Sequence, residues 1–190
     1  MDWHEVARTA WGAHLASQYP DELAEALEVI TKVEPSVIVE IGCDGGGTLY
    51  AWRQICDRVY GITLADNSYE TGGGNRPLVD HGAVVHIGDS HDPTSVAWLR
   101  QQLDGDPVDV LIIDGDHTAR GVLADFDAYS PLVRPGGLIL LHDIAVTNDL
   151  RAQVHMVWPE LASRYHTTKE IRSAQQPPYG WGVIRTEEPL

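Results

Sequence analysis

A glycine-rich turn that directly follows a short apolar stretch constrains the fold more than any other part of this sequence. Residues 37–41 are mostly β-branched and apolar and follow Pro35, which is typical of a short strand buried on both faces. The next residues permit backbone angles that a Cβ would forbid, and they are Gly42, Gly45, Gly46 and Gly47. Thr48 then caps or opens a helix. This order predicts the first unit of an open α/β sheet, where such sheets bind an adenosine-containing cofactor.

Two acidic residues accompany the turn and bear on which cofactor it binds. Glu40 lies near the end of the strand and Asp44 lies within the turn. Ionised carboxylates there would repel a pyrophosphate, whereas S-adenosylmethionine carries an ammonium and a sulfonium and no phosphate. No Gly-Lys-Ser/Thr sequence follows, so the phosphate-binding loop of nucleoside triphosphatases is absent. The charges favour S-adenosylmethionine over NAD or ATP, with a turn that only connects strand to helix as the alternative.

Length and charge limit the possible partners. The 190 residues suit one domain, with helices over 1–33, a cofactor-binding core over 34–145 and a helix and closing hairpin over 146–190. Lys and Arg number 13 against 28 Asp and Glu, a formal net charge of −15, which argues against nucleic acid or an anionic membrane as partner. A small-molecule substrate is expected. No membrane-spanning apolar run or signal peptide is evident, so we predict a cytoplasmic protein.

Two further strands are predicted, 58–63 and 84–87. Polar residues at or just after their carboxyl ends face the ligand crevice in this type of sheet. A carboxylate about 20 residues after the glycines often binds the ribose hydroxyls. The candidates are Thr63 and Asp66 for the ribose, and Asp89 and Ser90 for adenine. Asp89 could instead cap the following helix, although Asp92 before Pro93 fits that role better.

The richest chemistry follows two later strands, 108–113 and 138–141, which an amphipathic helix separates. Because neighbouring parallel strands lie about 4.8 Å apart, their carboxyl ends bring polar residues together. Singly, each of these residues has a structural explanation as a helix cap or turn residue. Together they predict a site for a metal ion or for proton transfer, formed by Asp114, Asp116, His117, His142 and Asp143.

These motifs resemble those of a known family. The residues that carry the resemblance are Glu40-Ile41-Gly42 with its turn, Ile113-Asp114-Gly115-Asp116-His117, and Leu132 to Gly137 running on to Leu141-His142-Asp143. They closely resemble class I S-adenosylmethionine-dependent methyltransferases, in particular the metal-dependent O-methyltransferases of antibiotic and sugar tailoring and the group named after cephalosporin hydroxylase. The resemblance covers roughly residues 35–145. It implies a three-layer, Rossmann-like α/β fold with seven strands, mostly parallel with the last antiparallel.

The resemblance also implies roles for the strand-end residues. Asp114 and the pair His142-Asp143 match the family's metal ligands, Asp114 is also counted as a cofactor contact, and His117 or Asp116 matches the catalytic base. His142 is a departure, since the best-known metal-binding members carry a carboxylate there. An imidazole ligand favours Mn²⁺, Fe²⁺ or Zn²⁺ over Mg²⁺. Alternatively, His142 is not a ligand and the metal is weakly bound or absent, in which case His142 could itself serve as the base.

Methyl transfer to a hydroxyl of a small molecule is the predicted function. A vicinal diol, on a sugar or a catechol, is the expected acceptor because two oxygens can chelate a divalent ion such as Mg²⁺ or Mn²⁺. The alternatives are a nicotinamide-dependent enzyme and a catalytically silent binding subunit on the same fold. Since the chain has no large insertion to close an acceptor pocket, a second copy in a homo-oligomer could complete it.

Overall fold

Strands and helices alternate along most of the chain in the computed structural model, which describes residues 1–64, 78–175 and 179–187. The strands are β1 (Val37–Ile41), β2 (Arg58–Thr63), β3 (Val84–Ile87), β4 (Val108–Ile113), β5 (Val133–His142), β6 (Thr167–Ile171) and β7 (Trp181–Arg185). The helices are α1 (Trp3–Ala13), α2 (Pro20–Thr31), α3 (Gly47–Arg53), α4 (Pro93–Leu103), α5 (Ala119–Tyr129) and α6 (Val154–Ser163). A 3₁₀ turn, Ser130–Leu132, joins α5 to β5.

All seven strands form one sheet in the order β3-β2-β1-β4-β5-β7-β6. Strands β1 to β5 pair with one another in parallel, and β7 is antiparallel to both of its neighbours, β5 and β6. Ile41 pairs with Ile113, and Ile113 pairs with Leu141, so β1, β4 and β5 end side by side. The predicted seven-stranded sheet with an antiparallel last strand is confirmed.

Side chains of the sheet alternate between two hydrophobic layers. Ile38 and Val110 face the layer that contains Leu27 of α2 and Trp52 of α3. The residues that alternate with them along β1 and β4 face the other layer, which is built on α4, α5 and α6 and contains Leu99, Phe126 and Leu161. Because helices cover both faces, the central strands read as continuous apolar runs. This is the three-layer arrangement that the sequence predicts.

Two elements begin five residues away from the predicted position, β5 earlier and α6 later. Strand β5 begins at Val133, five residues earlier than expected, because the segment read as a turn pairs with β4 across a β-bulge. Helical spacing predicts a helix over 149–163, with a kink or break at Pro159. Helix α6 instead begins at Val154, since Asp149 accepts a hydrogen bond from the backbone N–H of Arg151 in a local turn before it. It continues through Pro159 to Ser163.

The helices are 7 to 12 residues long. Among those in the described ranges, none combines the length and the apolar character that crossing a lipid bilayer requires. The predicted cytoplasmic location stays a prediction.

Asp109, near the start of β4, bonds to residues at the starts of both neighbouring strands, β1 and β5. Its Oδ2 accepts hydrogen bonds from the backbone N–H groups of Ser36 at 2.8 Å and Val37 at 2.9 Å. Its Oδ1 accepts a hydrogen bond from Nε of Arg134, in β5. Asp109 and Val37 are buried, so water cannot replace the carboxylate at the N–H of Val37, whereas Ser36 and Arg134 are partly exposed.

We expect Asp109→Ala to lower the free energy of unfolding by about 3 kcal/mol, since it leaves two backbone donors and a guanidinium without their acceptor. Urea unfolding followed by circular dichroism measures the change. Asp106→Ala is the control, because Asp106 forms an exposed ion pair with Arg58 and such pairs contribute little. Equal effects of the two substitutions would contradict the prediction.

Candidate active site

The glycine turn between β1 and α3 brings three parts of the chain together. Gly42 and Gly46 both have φ of +88°, in the left-handed region that favours glycine. A Cβ at Gly42 would overlap the carbonyl oxygen of Asp114, and one at Gly46 would overlap that of Val79. A Cβ at Gly47 would overlap the backbone of the α1–α2 loop. Glycines in such a turn let a ligand lie against the main chain, but beside these three the chain's own backbone fills the space.

Glu40 lies behind this turn, fully buried. Its Oε1 accepts a hydrogen bond from Nε1 of Trp52 in α3 at 2.9 Å. Burial raises the pKa of Glu40 to about 8, so the group is mainly protonated at pH 7. The expectation of two ionised carboxylates beside the ligand is therefore wrong for Glu40. Asp44, by contrast, is exposed on the turn, with φ of +41°.

The predicted ribose contacts are only partly described by the structure. Thr63, the last residue of β2, is half-buried, and its carbonyl accepts a hydrogen bond from the backbone N–H of Gly88 at 2.9 Å. That bond holds the loop after β3 against the end of β2. Asp66 lies outside the described residues, so its assignment to the ribose stays a prediction.

The predicted adenine contacts lie on the loop after β3. Asp89 is exposed, and its Oδ1 accepts a hydrogen bond from the backbone N–H of His91 at 2.9 Å. The carbonyl of Ser90 accepts a hydrogen bond from the hydroxyl of Tyr129 at 2.8 Å, which ties the loop to α5. Asp92 caps α4, as predicted. Asp89 is therefore left on the surface at the carboxyl edge of the sheet.

Two carboxylates and an imidazole meet at the ends of β4 and β5. His117 lies between the carboxylates, with its Nε2 3.2 Å from Oδ1 of Asp114 and its Nδ1 2.8 Å from Oδ2 of Asp143. Both aspartate side chains are buried, whereas the His117 side chain is 37 % exposed. His117 is thus the member of this group that reaches the surface.

His142 lies on the buried side of the same group. Its Nδ1 is 3.2 Å from Oδ1 of Asp114 and 3.4 Å from Oδ1 of Asp143, while its Nε2 is 3.2 Å from Oε1 of Glu22. The ring packs on Trp181, with centroids 4.4 Å apart. Both nitrogens of His142 are therefore already directed at carboxylates.

The charges in this group stabilise one another. Burial by itself would lower the pKa of both imidazoles, yet hydrogen bonds and the negative charge of Asp114 raise the pKa of His117 to about 11 and that of His142 to about 10. Burial would raise the pKa of Asp114, but the charge of His142 and a hydrogen bond from His117 hold it well below its usual range. Two imidazolium groups thus balance the buried carboxylates.

Asp116 serves the local backbone. Its Oδ1 accepts a hydrogen bond from the backbone N–H of Thr118 at 2.9 Å, and its carboxyl group occupies the space beside Gly121. Thr118 in turn caps α5 through a bond from the N–H of Gly121. Of the two residues predicted as candidate bases here, His117 lies between the carboxylates and Asp116 supports the start of α5.

Asp114, His117 and Asp143 fit a divalent cation. Each offers a ligand atom, and these atoms all lie within 4.8 Å of one another. Oδ1 of Asp143 is buried and has no hydrogen-bond partner among the described residues, so it could bind a cation without giving up such a bond. Two carboxylates and an imidazole suit Mn²⁺, Fe²⁺ or Zn²⁺ as well as Mg²⁺. The group differs from the sequence-based ligand set in one member, His117 instead of His142.

Two contributors to this site were missed in the sequence. Gln18 donates a hydrogen bond from Nε2 to Oδ2 of Asp114 at 2.5 Å, and Glu22 contacts His142 as described above. They precede their partners by 96 and 120 residues. In the sequence, Gln18 is an ordinary loop residue and Glu22 an ordinary first-turn carboxylate of a helix, so no local signal marks them.

The sheet order, with one antiparallel strand, defines a Rossmann-like α/β fold of the methyltransferase type. At the ends of β4 and β5 it carries an acid–histidine group that consists of Asp114, His117, His142 and Asp143. Residues 39–144 match the model of the family described as methyltransferase domain, and the chain belongs to that family. The resemblance that the motifs carry is thereby confirmed. The matched range includes the glycine turn and Asp143, and it leaves out Gln18 and Glu22.

Curated relatives are O-methyltransferases by name. The chain is 31 % identical over 137 residues to 8-demethyl-8-alpha-L-rhamnosyl tetracenomycin-C 2'-O-methyltransferase of Streptomyces olivaceus, covering 67 % of this chain and 31 % of that protein. It is 31 % identical over 102 residues to demethylmacrocin O-methyltransferase of Streptomyces fradiae, covering 53 % of this chain and 23 % of that protein. The aligned part of the chain thus spans less than a third of either relative.

Solved structures of similar fold include two methyltransferases. The MycE methyltransferase of mycinamycin biosynthesis, in complex with Mg, SAH and mycinamycin VI, superimposes with a TM-score of 0.67 at 16 % identity over 99 % of this chain and 54 % of that one. The O-methyltransferase TomG from Streptomyces achromogenes, in complex with SAM, gives 0.65 at 17 % identity over 99 % and 91 % of the two chains. At these identities the likeness supports the fold.

Proposed function

We propose that this chain is an S-adenosylmethionine-dependent O-methyltransferase that acts on a hydroxyl of a small molecule, with a vicinal diol of a sugar or catechol as acceptor. One observation carries the proposal. The cofactor turn and the acid–histidine group are in direct contact, since Gly42 lies against the backbone of Asp114 and the N–H of Asp114 donates to the carbonyl of Ile41 at 2.8 Å. A methyl donor in the crevice would therefore lie beside groups that can activate an acceptor.

The cofactor contacts follow from what the crevice exposes. S-adenosylmethionine, when bound, supplies a methyl group already activated by its sulfonium. The exposed Asp44 offers a carboxylate to a cationic ligand at the turn after β1. Asp89 and Ser90 lie on the loop after β3, at the same edge of the sheet and on the far side of β2. Glu40 acts from behind by fixing α3 through Trp52. Asp66 and Thr63 remain the candidates for the ribose.

The acceptor must be held in line and lose its proton. Asp114 and Asp143 are the proposed ligands of a divalent cation, which when bound would lower the pKa of the acceptor hydroxyl. His117 is either the third ligand or the base, and both roles require the neutral imidazole. The same two carboxylates stabilise the proton on His117. A cation bound between them would compete with that proton, and His117 can act only once the proton is lost. His142, buried between carboxylates, is poorly placed to reach a substrate.

Calorimetric titration with S-adenosylmethionine and S-adenosylhomocysteine tests the proposal, followed by transfer of labelled methyl groups to a panel of sugars and catechols with Mg²⁺ or Mn²⁺. We expect one equivalent of cofactor to bind, and label to appear in an acceptor with adjacent hydroxyls. Binding of NADH without S-adenosylmethionine would favour a nicotinamide-dependent enzyme. Binding of neither would favour a silent subunit.

A further inference from the structure

The start of α2 and the loop before it are connected to the acid–histidine group at two points. Gln18 donates to Asp114, and Glu22 contacts His142. Both side chains are buried, and Glu22 is only 1 % exposed. A carboxylate at this depth requires a compensating partner, because moving a charge out of water is costly. His142 is the partner that the structure provides.

Glu22 does more than cap its helix. Its Oε1 also accepts a hydrogen bond from the backbone N–H of Tyr19 at 3.0 Å, which is an ordinary capping contact. Capping, however, is normally made at the surface and does not need a buried imidazole on the same oxygen. The second oxygen, Oε2, is buried and makes no hydrogen bond within the described part of the chain. The carboxylate is thus held between the helix start and His142.

The His142 ring connects Glu22 to the candidate cation ligands. One nitrogen faces Glu22, and the other faces Oδ1 of Asp114 and Oδ1 of Asp143 at 3.2 and 3.4 Å. A ring fixed at one nitrogen cannot turn about its Cβ–Cγ bond without losing that contact. The contact with Glu22 therefore determines where the opposite nitrogen points, and with it the orientation of two carboxylates that would otherwise repel each other.

We infer that Glu22 is a positioning residue, which through His142 holds Asp114 and Asp143 in the arrangement that binds a divalent cation. The cation itself belongs to the proposed function, on which this inference rests. The positioning of the His142 ring is a property of the chain alone, and it can be measured without a cation. The two measurements below separate these parts.

The first measurement is Mn²⁺ affinity by electron paramagnetic resonance, with Glu22→Gln, His142→Gln and the double variant. Glu22→Gln keeps the size of the side chain and an acceptor for Tyr19. We expect it to weaken Mn²⁺ binding about 10-fold, as loss of an outer-sphere partner typically does. In the His142→Gln background the same change should add less than a twofold effect, because the connecting ring is gone. An equal loss in both backgrounds, or no loss, would overturn the inference.

Glu25→Gln is the matched control. Glu25 lies in the same helix and pairs with Lys169 on the surface, so the same change of charge there should leave Mn²⁺ affinity within twofold. Melting temperatures of all variants report folding. If Glu22→Gln does not fold, Glu22→Asp enters the same cycle, since it keeps the charge and shortens the reach to His142. A weakening by Glu22→Asp supports positioning, and unchanged affinity contradicts it.

The second measurement uses the cation-free protein and the nuclear Overhauser contacts between the rings of His142 and Trp181, whose centroids lie 4.4 Å apart. If Glu22 positions the His142 ring, Glu22→Gln changes the intensities of these contacts. Unchanged intensities would overturn the inference. Should the parent protein bind no Mn²⁺, the metal-dependent part of the proposed function fails, and this readout still decides the role of Glu22.

Discussion

Replacing Asp143 by Asn is expected to weaken Mn²⁺ binding by about 100-fold or more and to reduce methyl transfer to a similar degree. The substitution keeps the shape of the side chain, and Asn tolerates the left-handed backbone that Asp143 adopts, with φ of +61°. It removes the negative charge of the Asp143 carboxylate. Oδ1 of that carboxylate accepts no hydrogen bond from the described residues, and Oδ2 contacts His117. The main effect should therefore fall on the cation and the reaction, with some loss of stability because His117 and His142 lose a charged partner.

Asp149→Asn provides the comparison for Asp143→Asn. Asp149 is exposed near the same edge and pairs with Arg151, so it undergoes the same chemical change away from the cluster. We expect its Mn²⁺ affinity to match that of the parent protein in calorimetric titration. If Asp143→Asn bound Mn²⁺ as tightly as Asp149→Asn, the assignment of Asp143 as a ligand would be wrong.

Gly42→Ala is expected to lower the free energy of unfolding by about 4 kcal/mol or more. An alanine at φ of +88° is strained, and its Cβ would overlap the carbonyl of Asp114. Since that oxygen is backbone at the end of β4, relief requires the strand end to move, and the site moves with it. Urea unfolding followed by circular dichroism measures the loss.

Gly12→Ala is the matched control for Gly42→Ala. Gly12 lies in α1, and a Cβ added there would meet no atom of the described ranges within 4 Å beyond its own helix backbone and chain neighbours. Alanine is the better helix former, so this variant should gain up to about 1 kcal/mol. An unchanged unfolding midpoint for Gly42→Ala would show that the ends of β1 and β4 are not in contact as described.

The fold was largely predictable because it depends on local patterns. Strands β2, β3 and β4 have the predicted boundaries, since each is a short apolar run between turn residues. Strand β5 was misjudged at its start because Pro and Gly normally mark a turn, whereas here a bulge keeps them in the strand. The start of α6 was misjudged because helical spacing alone does not reveal the turn at Asp149.

The candidate site was predictable where it depends on strand ends. Asp114 and Asp143 directly follow β4 and β5, and parallel pairing brings such positions together. Which imidazole lies between them was not predictable, because His117 and His142 are both close to a strand end. The state of Glu40 was misjudged as well, since burial raises its pKa to about 8 and no sequence pattern measures burial of a single carboxylate.

The sequence by itself determined the class of fold, the glycine turn and the carboxylates at the strand ends, because periodicity, turn chemistry and parallel pairing are all encoded over short stretches. Only the tertiary structure decided that His117 bridges the carboxylates and that Gln18 and Glu22 complete the site from the start of α2 and the loop before it. The physical reason is that these contacts join residues up to 120 positions apart, and their energies depend on distance and burial in the folded chain.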